Sequence, residues 1–434
     1  MDKMADVLGR AGAWCGQNKY LSAIKNAFQN FMPLTIAGAI GVLWCNVLVN
    51  DQTGLGLFFK PIMALDFLNP AFQAVNFCTI SCITVGITLG IAQEIGIWNM
   101  GAEKAGYIPV LVCLAAWLSV TNTSHMVDGA KEAFTGVAGN ELGATGLFTG
   151  MIIGVLSVEL FCFFEKQDAL KIKMPEQVPP GVARAFEVLV PATITLIITA
   201  CIGSACYNLT GLYLNDVIKN GVQGPLGAVG ATIPGVMIIY LVIMLFWLVG
   251  IHGNNMLSAV KEALFTPLAL ENVEAFNKGE TPKNIINMYA LQMWGEFGGS
   301  GVTIGLVIAI MIFGKREDNK AIATLSLVPG LFNINETVTF GIPMVLNPIL
   351  GIPFVVAPLI TIIIGYVLTV IGFCPVACLT VPWTTPPIVF GFLACGANVM
   401  GAVTQAILIV VSTVIYTPFL IAYEKYQNKQ AAEA

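Results

Sequence analysis

The chain has 434 residues, of which 56% are hydrophobic and 10% charged, whereas a soluble domain carries about 25% charged residues. The charges are clustered: the stretch 188–215 has none, and the long stretch 321–423 has only Glu336. The composition therefore excludes a water-soluble fold, and a net charge of −5 without a dense basic stripe argues against nucleic-acid binding.

Nine apolar runs are predicted to be membrane-spanning helices, since a helix needs about 20 apolar residues to cross the hydrocarbon core. The segment 1–31 comes before them and carries four basic residues in an amphipathic stretch, which predicts a leading helix in the cytoplasm or at the membrane surface. In chain order the runs are 32–50, 75–95, 106–120, 145–164, 188–211, 227–250, 299–314, 350–373 and 398–423.

Basic residues predict the orientation, because cytoplasmic loops carry an excess of lysine and arginine. They concentrate before the first run, in the loops 166–184 and 315–320, and after the last run. Both termini are therefore predicted to be cytoplasmic. An even number of crossings must then separate the two basic loops, so a less apolar crossing is expected between 254 and 298, for about ten spans in all. The basic residues before the first run are Lys3, Arg10, Lys19 and Lys25, and the single lysines of the predicted outer loops are Lys60, Lys131 and Lys219.

Two further apolar segments, 321–346 and 374–397, are predicted to be re-entrant hairpins. The first contains Pro329 and Pro343, and the second contains four prolines and two glycines. Proline removes a backbone donor and glycine loosens a helix, and broken backbone at membrane depth persists only where protein or a water-filled cavity satisfies it. The sequence thus predicts an all-α polytopic membrane protein with about ten transmembrane helices and two re-entrant hairpins.

Glu336 is the strongest candidate for a functional residue. A carboxylate inside an uncharged apolar run is costly unless it meets partners or water, and such residues usually serve a function. It ends the sequence Asn333-Ile334-Asn335-Glu336, whose two amides and broken backbone offer hydrogen bonds suited to hydroxyl groups. A structural carboxylate at a hairpin tip is the alternative.

His252 is the second candidate, and it lies in the sequence Gly250-Ile251-His252-Gly253-Asn254-Asn255. The glycines permit close approach, and the asparagines add hydrogen-bonding groups. An imidazole beside a carboxylate can receive or orient a hydroxyl proton, whereas a histidine satisfied within the core is the alternative. His125 lies in a polar loop and is expected to be solvated.

Two tryptophans and one glutamate have two interpretations each. Trp247 and Trp383 either stack against a sugar ring or belong to an interfacial aromatic belt. Glu296 precedes the flexible stretch Gly298-Gly299-Ser300-Gly301 and either lines the same cavity or caps a helix. The eleven cysteines lack metal-ligand spacing, so neither a metal site nor a cofactor is expected.

Together these motifs resemble the membrane component (IIC) of bacterial phosphotransferase-system sugar transporters, with most similarity to the lactose, cellobiose and diacetylchitobiose branch. The resemblance extends over nearly the whole chain. It rests on the segments Ala23–Asn26, Met32–Thr35, Gly250–Gly253, Gly298–Gly301, Asn333–Glu336 and Pro382–Thr384.

The resemblance implies a homodimer in the bacterial inner membrane, embedded in the lipid bilayer. The N-terminal half, 1–215, would form the dimer contact, and the C-terminal half, 216–434, would hold a disaccharide. His252 and Glu336 would lie near the hydroxyl group that becomes phosphorylated. The other residues expected to shape the pocket are Trp247, Asn254, Gly299, Ser300, Asn333, Asn335 and Trp383.

The phosphoryl group would come from a cysteine of a separate cytoplasmic IIB protein, with IIA upstream, so whether this chain counts as an enzyme stays open. The chain ends soon after its last predicted span, and no fused IIB domain is expected at that end. We predict a permease that binds a disaccharide of the cellobiose, diacetylchitobiose or lactose type and delivers it inward for phosphorylation. His252 is the first candidate to take the hydroxyl proton and Glu336 the next, and the sequence leaves open which of the two takes it.

Two other functional classes are compatible with parts of the pattern. An ion- or proton-coupled secondary transporter would also place an acid and broken helices near the middle of the membrane. A channel or a structural membrane protein is the third class, although a pore would more often show rings of charge.

Overall fold

The computed structural model describes residues 10, 13–14, 17–51, 55–125, 133–175, 177–342 and 344–433. Helices dominate these residues, and the strands among them are one antiparallel pair, Ser124–His125 with Phe134–Thr135. The prediction of a helical fold is therefore confirmed. The sequence expectations that involve Lys3, Lys131 and Pro343 fall outside the described residues.

Helices of several lengths follow one another along the described chain. The α-helices are Lys19–Leu43, Asn69–Asn76, Ile83–Met100, Ala102–Ala105, Ile108–Val120, Gly139–Leu142, Leu147–Glu165, Pro180–Thr210, Leu214–Ile218, Gly224–Gly230, Ile233–Leu248, Gly253–Met256, Ser258–Asn277, Met288–Gly295, Ile304–Phe313, Glu317–Leu331, Glu336–Gly341, Gly351–Val370, Val389–Ala394 and Val399–Glu433. The 3₁₀ segments are Leu55–Leu57, Lys60–Leu68, Ala144–Gly146, Asp168–Leu170 and Ser300–Val302, and the π-helical turns are Trp44–Leu48, Phe77–Ser81 and Lys219–Gln223.

Several of these helices are suited to cross a membrane. Five described segments are long and apolar enough, and the number rises to seven when each of two bent helix pairs counts as one span. Ile108–Val120 and Ile233–Leu248 are shorter apolar helices. The chain is thus a multi-pass membrane protein, while the total of ten crossings stays a prediction. The five are Lys19–Leu48, Ala144–Glu165, Pro180–Thr210, Gly351–Val370 and Val399–Glu433, and the bent pairs are Lys60–Ser81 with Ile83–Met100 and Met288–Val302 with Ile304–Phe313.

One compact unit comprises residues 17–38 and 73–227. Its core is made by the helices Ile83–Met100, Ile108–Val120, Leu147–Glu165 and Pro180–Thr210, which pack on one another. At Gly150, an added Cβ atom would lie 2.2 Å from the hydroxyl oxygen of Thr88. Glycine is therefore required for this close approach, which is typical of helix packing within membranes.

The other compact unit comprises the described residues of 1–16, 39–72 and 228–434. Its longest helix, Val399–Glu433, packs against Ile304–Phe313, Gly351–Val370 and Val389–Ala394. The division between the units falls near residue 228, and residues 39–72 cluster with the later part of the chain. The assignment of dimerisation to 1–215 and of sugar binding to 216–434 stays a prediction.

The two proline-rich segments are broken as predicted. In 321–346 the helix Glu317–Leu331 ends after Pro329, and Asn333 and Leu346 have left-handed backbone with φ of +63° and +55°. In 374–397 the regular helix is limited to Val389–Ala394. Between 254 and 298, where a further crossing was expected, the helix Ser258–Asn277 is present but carries four charged residues.

Glu141 lies in a short helix outside the predicted spans, and its buried carboxyl group is not fully hydrogen-bonded. The residue is 7% exposed, and its Oε2 atom has no hydrogen-bond partner. Burial raises the pKa of this carboxyl group to about 7, although the electrostatic effect of His125 acts in the opposite direction. The folded state therefore favours the protonated form of Glu141.

We expect Glu141→Gln to remove a pH dependence of stability. Between the ordinary carboxyl pKa of about 4.3 and the raised value, the folded state binds more protons than the unfolded state, so the free energy of unfolding falls as pH rises. Thermal unfolding in detergent from about pH 4.5 to pH 7.5 measures this slope. In Glu141→Gln the free energy of unfolding should fall less steeply with rising pH than in the wild-type protein. In Glu103→Gln, at an exposed position, the slope should stay that of the wild type. Equal slopes in all three proteins would contradict the prediction.

Candidate functional site

His252 lies in a turn between the helices Ile233–Leu248 and Gly253–Met256. It caps the second helix, because its Nδ1 atom accepts a hydrogen bond of 3.3 Å from the backbone amide of Asn255. The turn depends on glycine: Gly250 has a φ of +80°, and a Cβ atom at Gly253 would lie 2.0 Å from the carbonyl oxygen of Ile243. The backbone of the turn thus sets the direction of the imidazole.

Trp247 supports the imidazole by packing against it. The ring centroids of Trp247 and His252 lie 4.5 Å apart, and the ring of Phe354 meets the indole at 6.3 Å. Only 2% of Trp247 is exposed. In this conformation the indole contacts His252 and has no exposed face, so it cannot stack against a sugar ring, which was one of the two interpretations of the sequence. Trp247 can therefore affect the site only by holding the imidazole of His252.

Glu336 is the first residue of the helix Glu336–Gly341 and lies beside His252. Its Oε1 atom is 3.8 Å from Nε2 of His252, and the side chains are 48% and 38% exposed. This separation exceeds a hydrogen-bond length. The two strongest sequence candidates are therefore brought together, and both side chains are partly exposed.

Asn333 connects three segments of the site. Its Oδ1 atom accepts a hydrogen bond of 2.6 Å from the backbone amide of Gly298. Its Nδ2 atom donates to the backbone carbonyls of Trp383, at 2.5 Å, and Thr385, at 3.1 Å. The left-handed φ of Asn333 is one that asparagine adopts more readily than most residues. The first amide of the predicted motif thus holds the proline-rich hairpin next to the glycine-rich stretch.

Asn335, Ser300 and Asn254 form a second connection. Nδ2 of Asn335 donates to the backbone carbonyl of Ser300 at 2.7 Å, and Nδ2 of Asn254 donates to the Ser300 hydroxyl at 2.9 Å. Asn335 and Ser300 are each 4% exposed. These three candidate residues are brought together, and their hydrogen bonds join the segment of His252 to the segment of Glu336.

Trp383 is the candidate with an open aromatic surface. Trp383 is 45% exposed, while its backbone carbonyl accepts a hydrogen bond from Asn333. An exposed aromatic ring next to hydrogen-bonding groups is suited to pack on the apolar face of a sugar. Of the two tryptophans considered, only Trp383 has this exposure.

Sequence analysis missed Lys261 and Tyr240. The ammonium group of Lys261 forms an ion pair with Oε1 of Glu296 and donates to Oδ1 of Asn254 at 3.1 Å. The Tyr240 hydroxyl donates to the same Glu296 oxygen at 2.7 Å. Glu296 therefore lies in the network of the site. Lys261 is followed directly by Glu262 in a helix with several charges, a pattern that is typical of an exposed lysine.

We expect Gly299→Ala to destabilise the protein more than Gly279→Ala. Both glycines have left-handed backbone, with φ of +87° and +71°, but an added Cβ at Gly299 would lie 2.6 Å from Cγ of Asn335, whereas the space around Gly279 is open. Backbone strain alone costs about 1–3 kcal/mol, and the clash adds to it at Gly299.

Thermal unfolding of the two variants in the same detergent measures the difference. The control is Gly279→Ala, which carries the backbone strain without the clash. A larger loss of stability in Gly279→Ala would contradict the close packing of Gly299 on Asn335.

Comparison with known proteins gives consistent matches. A family model described as "Phosphotransferase system, EIIC" matches residues 25–358. The chain is 32% identical to the PTS system oligo-beta-mannoside-specific EIIC component of Bacillus subtilis (strain 168), with 98% of this chain and 94% of the relative covered. It is 31% identical to the PTS system cellobiose-specific EIIC component of Lactococcus lactis subsp. lactis (strain IL1403), with 98% of each covered.

A solved structure is also similar over nearly its full length. It is the crystal structure of the transporter ChbC, the IIC component from the N,N'-diacetylchitobiose-specific phosphotransferase system. The TM-score is 0.88 at 30% sequence identity, and 97% of each chain is covered.

Proposed function

This chain belongs to the phosphotransferase system EIIC family, and from that premise we propose that it is a permease which binds a disaccharide beside His252 and Glu336. The specificities of the similar proteins support a disaccharide substrate of the cellobiose, diacetylchitobiose or lactose type. The comparisons give no support to an ion-coupled carrier or to a channel.

The observation that carries the proposal is the pairing of one carboxylate with one imidazole. Their nearest atoms are 3.8 Å apart, and the side chains of His252 and Glu336 are 38% and 48% exposed. In the apolar stretch 321–423 Glu336 is the single charged residue. A sugar hydroxyl between the two groups could donate to the carboxylate and accept from the imidazole, which suits a hydroxyl that is to be phosphorylated.

The hydrogen bond at Nδ1 supports different roles for His252 and Glu336. Since Nδ1 of His252 accepts from the amide of Asn255, a neutral imidazole carries its proton on Nε2, the atom that faces Glu336. A nitrogen that bears a proton cannot accept another. We therefore propose the proton-accepting role for Glu336 and a donor role for His252, a choice that the sequence leaves open.

The proposed step follows from these roles. The hydroxyl oxygen forms a bond to the phosphorus atom carried by the IIB cysteine, and the phosphorus–sulfur bond breaks to leave a thiolate. The hydroxyl proton passes to the Glu336 carboxylate. The Nε2–H group of His252 holds the hydroxyl oxygen in place before the transfer.

We expect Glu336→Gln to reduce phosphotransfer more than sugar binding. Glutamine keeps the size and hydrogen bonding of the side chain, but it cannot take a proton. Losing a charge-assisted hydrogen bond of about 1.5–3 kcal/mol lowers affinity about 10- to 100-fold, and losing a general base lowers the rate about 10²- to 10⁴-fold. The assay compares equilibrium binding of labelled disaccharides with sugar-phosphate formation by phosphorylated IIB.

The matched variant is His252→Gln, which keeps a donor near the position of Nε2. Its rate and its affinity should fall by similar small factors, because a neutral hydrogen bond contributes about 1 kcal/mol. If His252→Gln instead loses far more rate than affinity while Glu336→Gln does not, His252 is the base.

We also propose that both termini and the loops 166–184 and 315–320 face the cytoplasm of a bacterial cell, where IIB and IIA act. The excess of lysine and arginine in these segments supports this orientation. A homodimer formed through the N-terminal half is part of the same proposal and rests on the family resemblance.

Cysteine labelling tests the orientation. Asp168 and Glu317 are suitable positions because their side chains are 82% and 86% exposed. Poor labelling of a cysteine at either position would therefore indicate that it faces the cytoplasm and not that it is buried in the protein. On a cysteine-free background, Asp168→Cys and Glu317→Cys should react with an impermeant thiol reagent only after the cells are permeabilised. Thr123→Cys, an exposed position in a predicted outer loop, should react in intact cells. Strong labelling of Asp168→Cys or Glu317→Cys in intact cells would overturn the topology.

A further inference from the structure

Lys261 is the one lysine that is buried among the residues described by the structure, at 5% exposure. A buried ammonium group is costly unless charged and polar partners surround it. Here it pairs with Glu296, donates to Oδ1 of Asn254 at 3.1 Å and lies 5.5 Å from the ring centroid of Tyr240. These partners compensate the charge and leave the side chain 7% exposed, so Lys261 is not accessible to a sugar in this conformation.

Asn254 links Lys261 to the reactive pair. Its carbonyl oxygen accepts from Lys261, and its amide nitrogen donates to the Ser300 hydroxyl at 2.9 Å. Asn254 belongs to the short helix that His252 caps. The Ser300 carbonyl accepts from Asn335, the residue immediately before Glu336. A continuous series of hydrogen bonds therefore joins Lys261 to the backbone segments of both His252 and Glu336.

The direction of each bond explains why a cation is needed at this place. Asn254 can donate to Ser300 only if its amide keeps the observed orientation, with the carbonyl oxygen turned toward Lys261. An ammonium group has donors only, so it stabilises this orientation over the flipped one. The pair with Glu296, reinforced by the Tyr240 hydroxyl, holds the ammonium group itself.

We propose that Lys261 is a positioning residue for sugar phosphorylation, which acts through Asn254 to fix the separation of His252 and Glu336. This inference rests on the proposed function of that pair. A displacement of about 1 Å between reacting groups is enough to lower a rate about 100-fold. Loss of Lys261 should therefore reduce the rate of phosphotransfer more than it reduces sugar affinity.

The first test measures kinetics in the full-length protein with phosphorylated IIB. Lys261→Met should lower the rate at saturating sugar about 10- to 100-fold and change sugar affinity by a clearly smaller factor. Lys278→Met, at a lysine that is 58% exposed just after the same helix, should retain the wild-type rate. Equal losses of rate and affinity in Lys261→Met, or no loss of rate, would overturn the proposal.

A double variant separates positioning from simple charge balance and avoids an unpaired buried carboxylate. In Lys261→Met/Glu296→Gln both charges are absent, so the protein should fold, but Asn254 still lacks its cationic donor. Its rate should stay low. Recovery of the wild-type rate would mean that Lys261 serves only to neutralise Glu296. Combining Lys261→Met with Asn254→Leu should lower the rate no further than the more severe single change, because residues that act through one another are not additive.

A cross-linking measurement tests the geometry without any transport or phosphotransfer activity. On a cysteine-free background, the pair His252→Cys/Glu336→Cys is treated with a short bifunctional thiol reagent. Adding Lys261→Met should lower the cross-linking yield several-fold, and adding Lys278→Met should not. An unchanged yield with Lys261→Met would overturn the inference. If the wild-type protein forms no sugar phosphate, the proposed function fails while this measurement still decides the role of Lys261.

Discussion

Broken backbone inside an apolar chain leaves peptide groups that must find partners without water, and buried side-chain amides supply several of them in the compact unit that contains residues 228–434. Asn272 accepts from the backbone amides of Lys283 and Asn284 and donates to the carbonyl of Ala377. Gln405 accepts from the backbone amides of Ile388 and Gly391 and donates to the carbonyl of Met293. An amide suits this use because it offers donors and acceptors without a charge.

The same constraint divides the polar residues of the site into two groups. The side chains of Asn333 and Asn335 form hydrogen bonds with backbone groups of neighbouring segments, so they hold the irregular segments in place. His252, Glu336 and Trp383 keep accessible surface. The arrangement stabilises the break in the helices and at the same time leaves an imidazole, a carboxylate and an aromatic ring partly exposed.

Much of this organisation could be predicted from the sequence because it depends on local pattern. Charge-free runs indicate membrane helices, and the prolines of 374–397 indicate a broken segment. A lone acid at Glu336 and a glycine-flanked His252 indicate the two residues that the structure brings to 3.8 Å. These signals work because the cost of burying charge or unpaired backbone in lipid is large.

The contacts that could not be predicted join residues far apart in the sequence. The pairing of Lys261 with Glu296 depends on how two helices pack, and nothing near Lys261 in the sequence distinguishes it from a solvated lysine. The clustering of residues 39–72 with 228–434 likewise depends on packing. The burial of Trp247 could not be predicted from nearby residues either. Trp247 comes five residues before His252, and this spacing is compatible both with an indole that packs against the imidazole and with one that does not.

The donor role that we propose for His252 depends on an ordinary structural device, a helix cap. A helix of four residues needs a cap, and here the cap is the imidazole rather than a serine or an aspartate. Nδ1 accepts from the Asn255 amide, and Nε2 is the ring nitrogen that faces Glu336. Trp247 packs on the ring and limits its rotation. The glycines at 250 and 253 allow this turn, so the donor role that we propose for His252 rests on residues that permit the backbone geometry.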